Sequence, residues 1–105
     1  MIMESSWPFF TFSPDKNLKL KQERGISFEE IISAIDNGQL MDVLEHPNKA
    51  QYSNQKIYVV CVRDYIFLVP FVEDENGNIF LKTIIPSRKA KQKYIKEVKN
   101  EKKTR

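Results

Sequence analysis

Residues 56–85 read KIYVVCVRDYIFLVPFVEDENGNIFLKTII, and this stretch decides the fold. It contains three runs rich in β-branched and aromatic residues: Lys56–Val62, Tyr65–Val72 and Asn78–Ile85. Arg63-Asp64 between the first two runs is short enough for a tight hairpin. Asn76-Gly77 favours a second hairpin more strongly, because both residues tolerate positive φ. The stretch therefore predicts three consecutive antiparallel strands.

Pro70 lies inside the second of these runs. Proline has no backbone N–H and cannot donate to the hydrogen-bond ladder of a sheet. We therefore expect the strand Tyr65–Val72 either to lie at an edge of the sheet or to face a bulge.

The amino-terminal half predicts one short strand, Phe9–Phe12, and two helices. Ser13 can cap a first helix that begins at Pro14, runs to Arg24 and ends at Gly25. Ser27 and Glu30 form a capping box for a second helix that extends to Asn37. Its apolar residues follow a spacing of three and four, which places them on one face: Phe28, Ile31, Ile32 and Ile35.

The remaining elements complete a small α+β domain. Leu40–Leu44 predicts a strand, and Glu45–Gln55 is rich in polar residues and predicts a loop. Ser87 can cap a final helix whose apolar side carries Ala90, Tyr94, Ile95 and Val98. The order β-α-α-β-β-β-β-α favours a mainly antiparallel sheet with helices on one face. We expect one domain over residues 1–98 and a basic, frayed tail over residues 99–105.

The charge of the chain is unevenly distributed. The whole chain has 17 basic and 14 acidic side chains, a net charge of +3. Residues 1–85 hold 8 basic and 12 acidic side chains, whereas residues 86–105 hold 9 basic and 2 acidic ones. An acidic body therefore precedes a strongly basic end, which can attract a nucleic acid or an acidic protein segment.

Composition excludes several classes of function. A single cysteine, Cys61, cannot form an intrachain disulfide and favours a reducing cytoplasm, where it is expected to be a buried small hydrophobe. Together with the single histidine, His46, it is too few for an ordinary zinc site, so we expect no metal. The apolar runs are far shorter than the roughly 18 residues that suggest a membrane span, so we expect no membrane partner. The three widely spaced glycines form no phosphate-binding loop, and we expect no cofactor.

Two segments resemble the opening and closing signatures of BrnT-type toxins. The first is FSPDK at residues 12–16 with RGISFEE at residues 24–30, and the second is IIPSRKA at residues 84–90. The resemblance covers most of residues 9–98 in the order and spacing of elements, with few identical residues. Pro14, Lys16 and residues 25 and 27–30 match the family's opening, and Ile84, Ile85, Arg88 and Ala90 match its closing motif.

The departures from this family fall at polar positions. Ser13 replaces the family's Asp, Leu20 its Asn, Glu23 its Lys and Arg24 its His. Pro86 and Ser87 replace a Ser and an Ala of the closing motif, and Tyr94 replaces a Glu that often follows. These differences leave the inferred fold intact and weaken the transfer of a catalytic set.

The resemblance implies a RelE-like fold and the toxin of a type II toxin-antitoxin system. Such a toxin is a metal-independent endoribonuclease that cleaves cellular RNA and is neutralised by a cognate antitoxin. The implied antitoxin is of the ribbon-helix-helix type, and operator DNA would be contacted only through the toxin-antitoxin complex.

Cleavage of RNA without metal requires a base for the 2′-hydroxyl proton, an acid for the 5′-oxygen and cations for the charge on phosphorus. The resemblance implies a largely basic set of residues for these roles. The catalytic candidates are Arg88, Lys82, Lys56 and His46. Arg88 is the strongest of them, because it lies in the best-matching motif at the start of a helix, where backbone N–H groups also favour phosphate.

Each of these candidates could instead have a structural role and take no part in catalysis. Arg88 could pair with the acidic segment Glu73–Glu75 and hold down the last helix. Lys82 alternates with Leu81 and Thr83 and could lie on a solvated sheet face. Lys56 could simply end a strand, and His46 beside Pro47 could be an ordinary loop histidine.

A basic surface for RNA is predicted around the final helix. Its candidate residues are Lys16, Lys89, Lys91, Lys93 and Tyr94, and the further tyrosines Tyr52 and Tyr58 could stack on bases. The same helix could instead be a solvated face, or could dock an acidic antitoxin segment. The aromatic cluster Trp7–Phe10 predicts packing over the sheet or, if exposed, a partner site.

The residues are also compatible with two other functions. The departures at Glu23, Arg24 and Tyr94 favour a catalytically degenerate module of the same fold, which binds an antitoxin and helps to repress its own operon. A plain nucleic-acid-binding protein is the third hypothesis, and it requires binding that weakens with salt.

Overall fold

The computed structural model describes residues 10–45, 47–48, 50–51 and 55–92. Its elements, in chain order, are β1 (Phe10–Phe12), α1 (Pro14–Arg24), α2 (Phe28–Asp36), β2 (Leu40–Glu45), β3 (Gln55–Val62), β4 (Tyr65–Glu73), β5 (Ile79–Leu81) and β6 (Ile85–Pro86). A last helix, α3, is described over residues 88–92. The α+β class and the predicted order are confirmed, with the last predicted strand divided into β5 and β6. Among the described residues, no helix is long and apolar enough to cross a membrane.

Both predicted helices form where their caps indicate. The Ser13 side chain accepts from the backbone N–H of Lys16, and α1 ends at Gly25 with φ of 66°. The capping box of Ser27 and Glu30 is complete, and Asn37 ends α2 one residue after Asp36. Local capping chemistry therefore determines both boundaries.

The sheet has the strand order β1-β5-β4-β3-β2, and β6 pairs with β4 beyond the end of β5. All pairs are antiparallel except β1 with β5. The β3–β4 hairpin turns at Arg63 and Asp64, with φ of 52° and 62°. Two residues with positive φ match the right-handed twist of the flanking strands. The predicted three-stranded antiparallel unit is thus confirmed.

Pro70 lies in the interior of the sheet, so the predicted edge position is wrong and the predicted bulge is confirmed. Four residue steps from Leu81 to Ile85 face three steps from Phe71 to Leu68 on β4, which leaves one extra residue on the partner side. Pro70 accepts a hydrogen bond from the Lys82 amide at 2.8 Å. Because Pro70 cannot donate in return, the ladder is interrupted there, and Asn78–Ile85 forms two strands instead of one.

The core lies between α1, α2 and one side of the sheet, which we call the helix face. Phe28 and Ile31 of α2 are fully buried against strand residues that include Val60, Val69 and Leu81. Phe12 stacks on Phe28 with ring centroids 4.9 Å apart. We call the opposite side of the sheet the second face; it buries Val59 and Ile66 completely and leaves Phe80, Ile85 and Leu44 exposed.

Candidate functional site

Polar residues at and beside the junction of the two helices make hydrogen bonds that join this junction to other parts of the fold. We call this set the junction network; it comprises Asn17, Arg24, Ser27, Glu29, Glu30 and Arg63. Asn17 is only 5% exposed, and its Oδ1 accepts from the Phe28 amide at 2.7 Å while its Nδ2 donates to Glu29 Oε1 at 2.8 Å. The hydrogen bond from Asn17 lowers the pKa of the Glu29 carboxyl, and Lys21 at 3.9 Å contributes to the same shift. Asn17 therefore ties α1 to the first turn of α2.

The two arginines of this network both donate hydrogen bonds to other parts of the chain. Arg24 donates from Nη1 to the carbonyl oxygen of Ile84, sixty residues further along the chain. Arg63 pairs with Glu30 and donates from Nη2 to the Gly25 carbonyl at 3.1 Å. Arg24 thus joins the end of α1 to Ile84, at the bulge between β5 and β6.

The start of α3 is attached firmly to β4. The Ser87 amide donates to the Ile66 carbonyl at 3.0 Å, and the Ser87 hydroxyl caps the helix by accepting from the Ala90 amide at 3.1 Å. Lys91 places its ammonium 5.0 Å from the centroid of the Tyr65 ring, within the range of a cation–π contact. The predicted cap at Ser87 is confirmed, and these contacts orient the first turn of the helix.

Arg88 and Lys89 are exposed in that first turn. The alternative in which Arg88 pairs with the acidic segment Glu73–Glu75 is wrong. Pro86 lies opposite Phe67 on β4, and Glu73 lies six residues away on the same strand. At about 3.4 Å per residue this separation is about 20 Å, too far for an ion pair.

Lys56 and Lys82 lie on opposite faces of the sheet. Lys56 is half-buried opposite Phe71, on the helix face. Lys82 is exposed on the second face, where its Nζ lies 3.2 Å from Gln55 Oε1. The structure therefore does not gather these two residues with Arg88 into one set of acid, base and cation.

The structure describes some of the other predicted site residues and not others. His46, Lys93 and Tyr94 lie outside the described residues, as do Tyr52 and residues 7–9 of the aromatic cluster. Lys16 lies in the first turn of α1, on the helix side of the sheet, away from Lys82. Lys89 and Lys91 share the described part of α3 with Arg88.

The surroundings of Tyr58 and Cys61 differ from those expected from the sequence. Tyr58 stacks on Phe71 with ring centroids 4.0 Å apart, and burial raises the pKa of its hydroxyl, with Glu73 adding to the shift. It therefore packs against the core, and Phe71 covers one face of its ring. Cys61 is half-buried rather than buried, and burial followed by the Asp64 carboxylate raises the pKa of its thiol.

Phe80 is the residue that sequence reasoning missed. It is 43% exposed on the second face, between the buried residues Ile79 and Leu81. A strict alternation of side chains along a strand could have indicated this position, because Ile79 and Leu81 both belong to the core. The sequence IFL at residues 79–81 did not reveal it, since three consecutive large apolar residues do not indicate which face is buried.

Comparisons of the chain with protein-family models, with curated proteins and with solved structures found no match. Among the described residues, no group of three or more His, Cys, Asp and Glu side chains is placed to hold a metal ion. The exposed cations at the start of α3, together with Lys82 and Phe80, are therefore the candidate functional site on chemical grounds alone.

Proposed function

We propose that this protein is the toxin of a type II toxin-antitoxin system, an endoribonuclease that cleaves cellular RNA and is neutralised by a cognate antitoxin. The observation that carries the proposal is the exposed pair Arg88 and Lys89 in the first turn of α3. This turn belongs to the segment 84–90 that resembles the closing motif of BrnT-type toxins.

The surroundings of this pair support a role in binding phosphate. Neither side chain has an ion-pair or hydrogen-bond partner among the described residues. Arg24 and Arg63, in contrast, both donate hydrogen bonds to other parts of the chain. A guanidinium without a counter-charge is available to a phosphoryl group, and its positive charge stabilises the pentacoordinate transition state most strongly. Arg88 is the residue to which we assign this role.

The experiment is induced expression in a bacterial host, with and without the antitoxin. Expression alone should arrest growth and degrade RNA, and Arg88→Ala should relieve both effects by lowering cleavage about 100-fold or more. Lys19→Ala is the matched control, because Lys19 is an exposed cation of α1. Growth arrest with intact RNA contradicts the nuclease assignment.

A second candidate function is an interaction module of the same fold that has lost catalysis. The separation of Lys56 and Lys82 by the sheet favours it, because these two residues cannot act on one phosphate. In that case the purified protein shifts operator DNA only together with its antitoxin and leaves RNA intact. An RNA cleavage assay beside the DNA-binding assay distinguishes the two functions.

A further inference from the structure

A strip of exposed side chains runs along the flank of β4 that faces away from β3. We call this group the strip; it comprises Phe80, Lys82, Ile85, Arg88 and Lys89. Phe80 lies opposite Val72 of β4, and Pro86, just before α3, lies opposite Phe67. These five residue steps correspond to about 17 Å of extended strand. The strip therefore leads from the second face of the sheet to the start of α3, whose Lys91 contacts Tyr65 of the helix face.

The charge of this segment is uniform. Residues 79–92 contain four basic side chains and no acidic one, whereas the chain before residue 86 is acidic overall. A polyanion that reaches Arg88 and Lys89 therefore meets only basic charge within this segment as it continues along β6 and β5 toward Lys82, and the acidic residues Glu73–Glu75 begin beyond Val72, the partner of Phe80. This positive charge is complementary to the phosphates of a nucleic acid.

Phe80 gives the far end of the strip a surface for stacking. Phe80 pairs with Val72 of β4 on one side and with Thr11 of β1 on the other, and 43% of the residue is accessible. Lys82 lies on the same face, and its Nζ donates to Gln55 Oε1 at 3.2 Å, so an ammonium and an amide share the face that carries the ring. An exposed aromatic ring with nearby cations and amides is the combination that binds unstacked bases.

We propose that Phe80 and Lys82 form a nucleotide subsite for single-stranded RNA, in which a base stacks on Phe80 and an adjacent phosphate pairs with Lys82. The RNA strand then follows the strip to Arg88. The requirement for a single strand follows from the stacking, because the base faces of a duplex are covered by their neighbours. This inference rests on the proposed function and specifies the substrate class of the same site.

Binding to an uncleavable RNA tests the subsite without depending on catalysis. The probe is a short labelled single-stranded RNA of mixed sequence with 2′-O-methyl groups, and fluorescence anisotropy measures its affinity for the purified full chain. Phe80→Leu should weaken binding about tenfold or more, whereas Phe80→Tyr, which keeps the ring, should retain affinity within about twofold. Lys82→Gln should reduce the slope of log affinity against log salt by about 0.7, and Lys82→Arg should preserve it.

Leu44→Ala is the matched control for Phe80→Leu. Leu44 is 38% exposed on the same face but lies on β2, two strands beyond β4, and its truncation should leave RNA affinity unchanged. Thermal unfolding of every variant verifies that it is folded.

The outcomes separate the subsite from the proposed function. If Phe80→Leu binds as tightly as the parent while Arg88→Ala binds weakly, the subsite is overturned and RNA recognition at α3 stands. Equal affinity for a duplex of the same sequence overturns the single-strand requirement. If the parent binds no RNA, the second face is not an RNA-binding surface. The same conclusion follows if Phe80→Leu weakens only the binding of an antitoxin protein.

Discussion

The junction network and the strip contain similar side chains, but those of the junction network form hydrogen bonds between elements whereas those of the strip are exposed. In the junction network, Asn17, Arg24 and Arg63 each donate or accept hydrogen bonds that cross between elements. In the strip, Arg88 and Lys89 are exposed on a helix turn whose own geometry is secured by other residues, Ser87 and Lys91. An arginine in this protein is therefore a structural tie or, under the proposed function, a ligand contact, and mutations should separate the two roles.

The largest effect on stability is expected from Asn17→Ala. The substitution leaves the buried Phe28 amide without its acceptor and should lower the free energy of unfolding by about 1–3 kcal/mol. Urea unfolding followed by circular dichroism measures the change. A loss below the error of the measurement would show that Asn17 does not hold α1 to α2, and a change in RNA affinity of the folded variant would show that the two regions are coupled.

Arg24→Ala should have a smaller effect, about 1 kcal/mol, because one hydrogen bond to the Ile84 carbonyl is lost at a largely exposed side chain. The same variant should alter the environment of β6 and the start of α3, because Ile84 directly precedes β6. Amide chemical shifts of Ile85 and Ser87 report this change. If they stay at their parent values, Arg24 does not determine the position of the bulge.

Glu29 gives the junction network a dependence on pH. Its pKa is lowered in the folded state, first by the Asn17 hydrogen bond, so its contribution to stability is present above the ordinary value of 4.5 and is lost as the pH falls through the folded pKa. Unfolding experiments across the acidic range should show a shallower decline for Glu29→Gln than for the parent. Identical pH profiles would contradict the link between Asn17 and Glu29.

The smallest effect on stability is expected in the strip. Arg88→Ala and Lys89→Ala should change the free energy of unfolding by no more than about 0.5 kcal/mol, since both side chains are exposed and lack partners among the described residues. Their effect should appear in RNA affinity, which loses salt dependence as phosphate contacts are removed. A large loss of stability would place Arg88 among the structural ties.

Much of the fold follows from local sequence signals. Ser13, Gly25 and the Ser27–Glu30 box determine the helix ends, and Arg63-Asp64 determines a hairpin, because each acts within a few residues of the chain. The bulge at residues 82–84 could be anticipated only as one of two alternatives. The choice depends on which neighbour lies beside Pro70, and that is a property of the whole sheet.

Less of the candidate site could be predicted from the sequence. Arg88 stands out because its motif and its helix cap lie in one short segment. The separation of Lys56 from Lys82 depends on the register of β3, β4 and β5, and one residue of shift would move either side chain to the other face. Phe80 was missed for the same reason, since exposure within a continuous apolar run is decided by pairing and not by composition.

The most direct test of the central claim is cleavage of cellular RNA by the purified protein in the presence of a metal chelator. The proposed function predicts fragments that end in 2′,3′-cyclic phosphates, produced by the parent and by Lys19→Ala and lost with Arg88→Ala. RNA that remains intact at equimolar protein, under conditions where the parent is folded and binds RNA, would contradict the nuclease and leave the interaction module as the function of this fold.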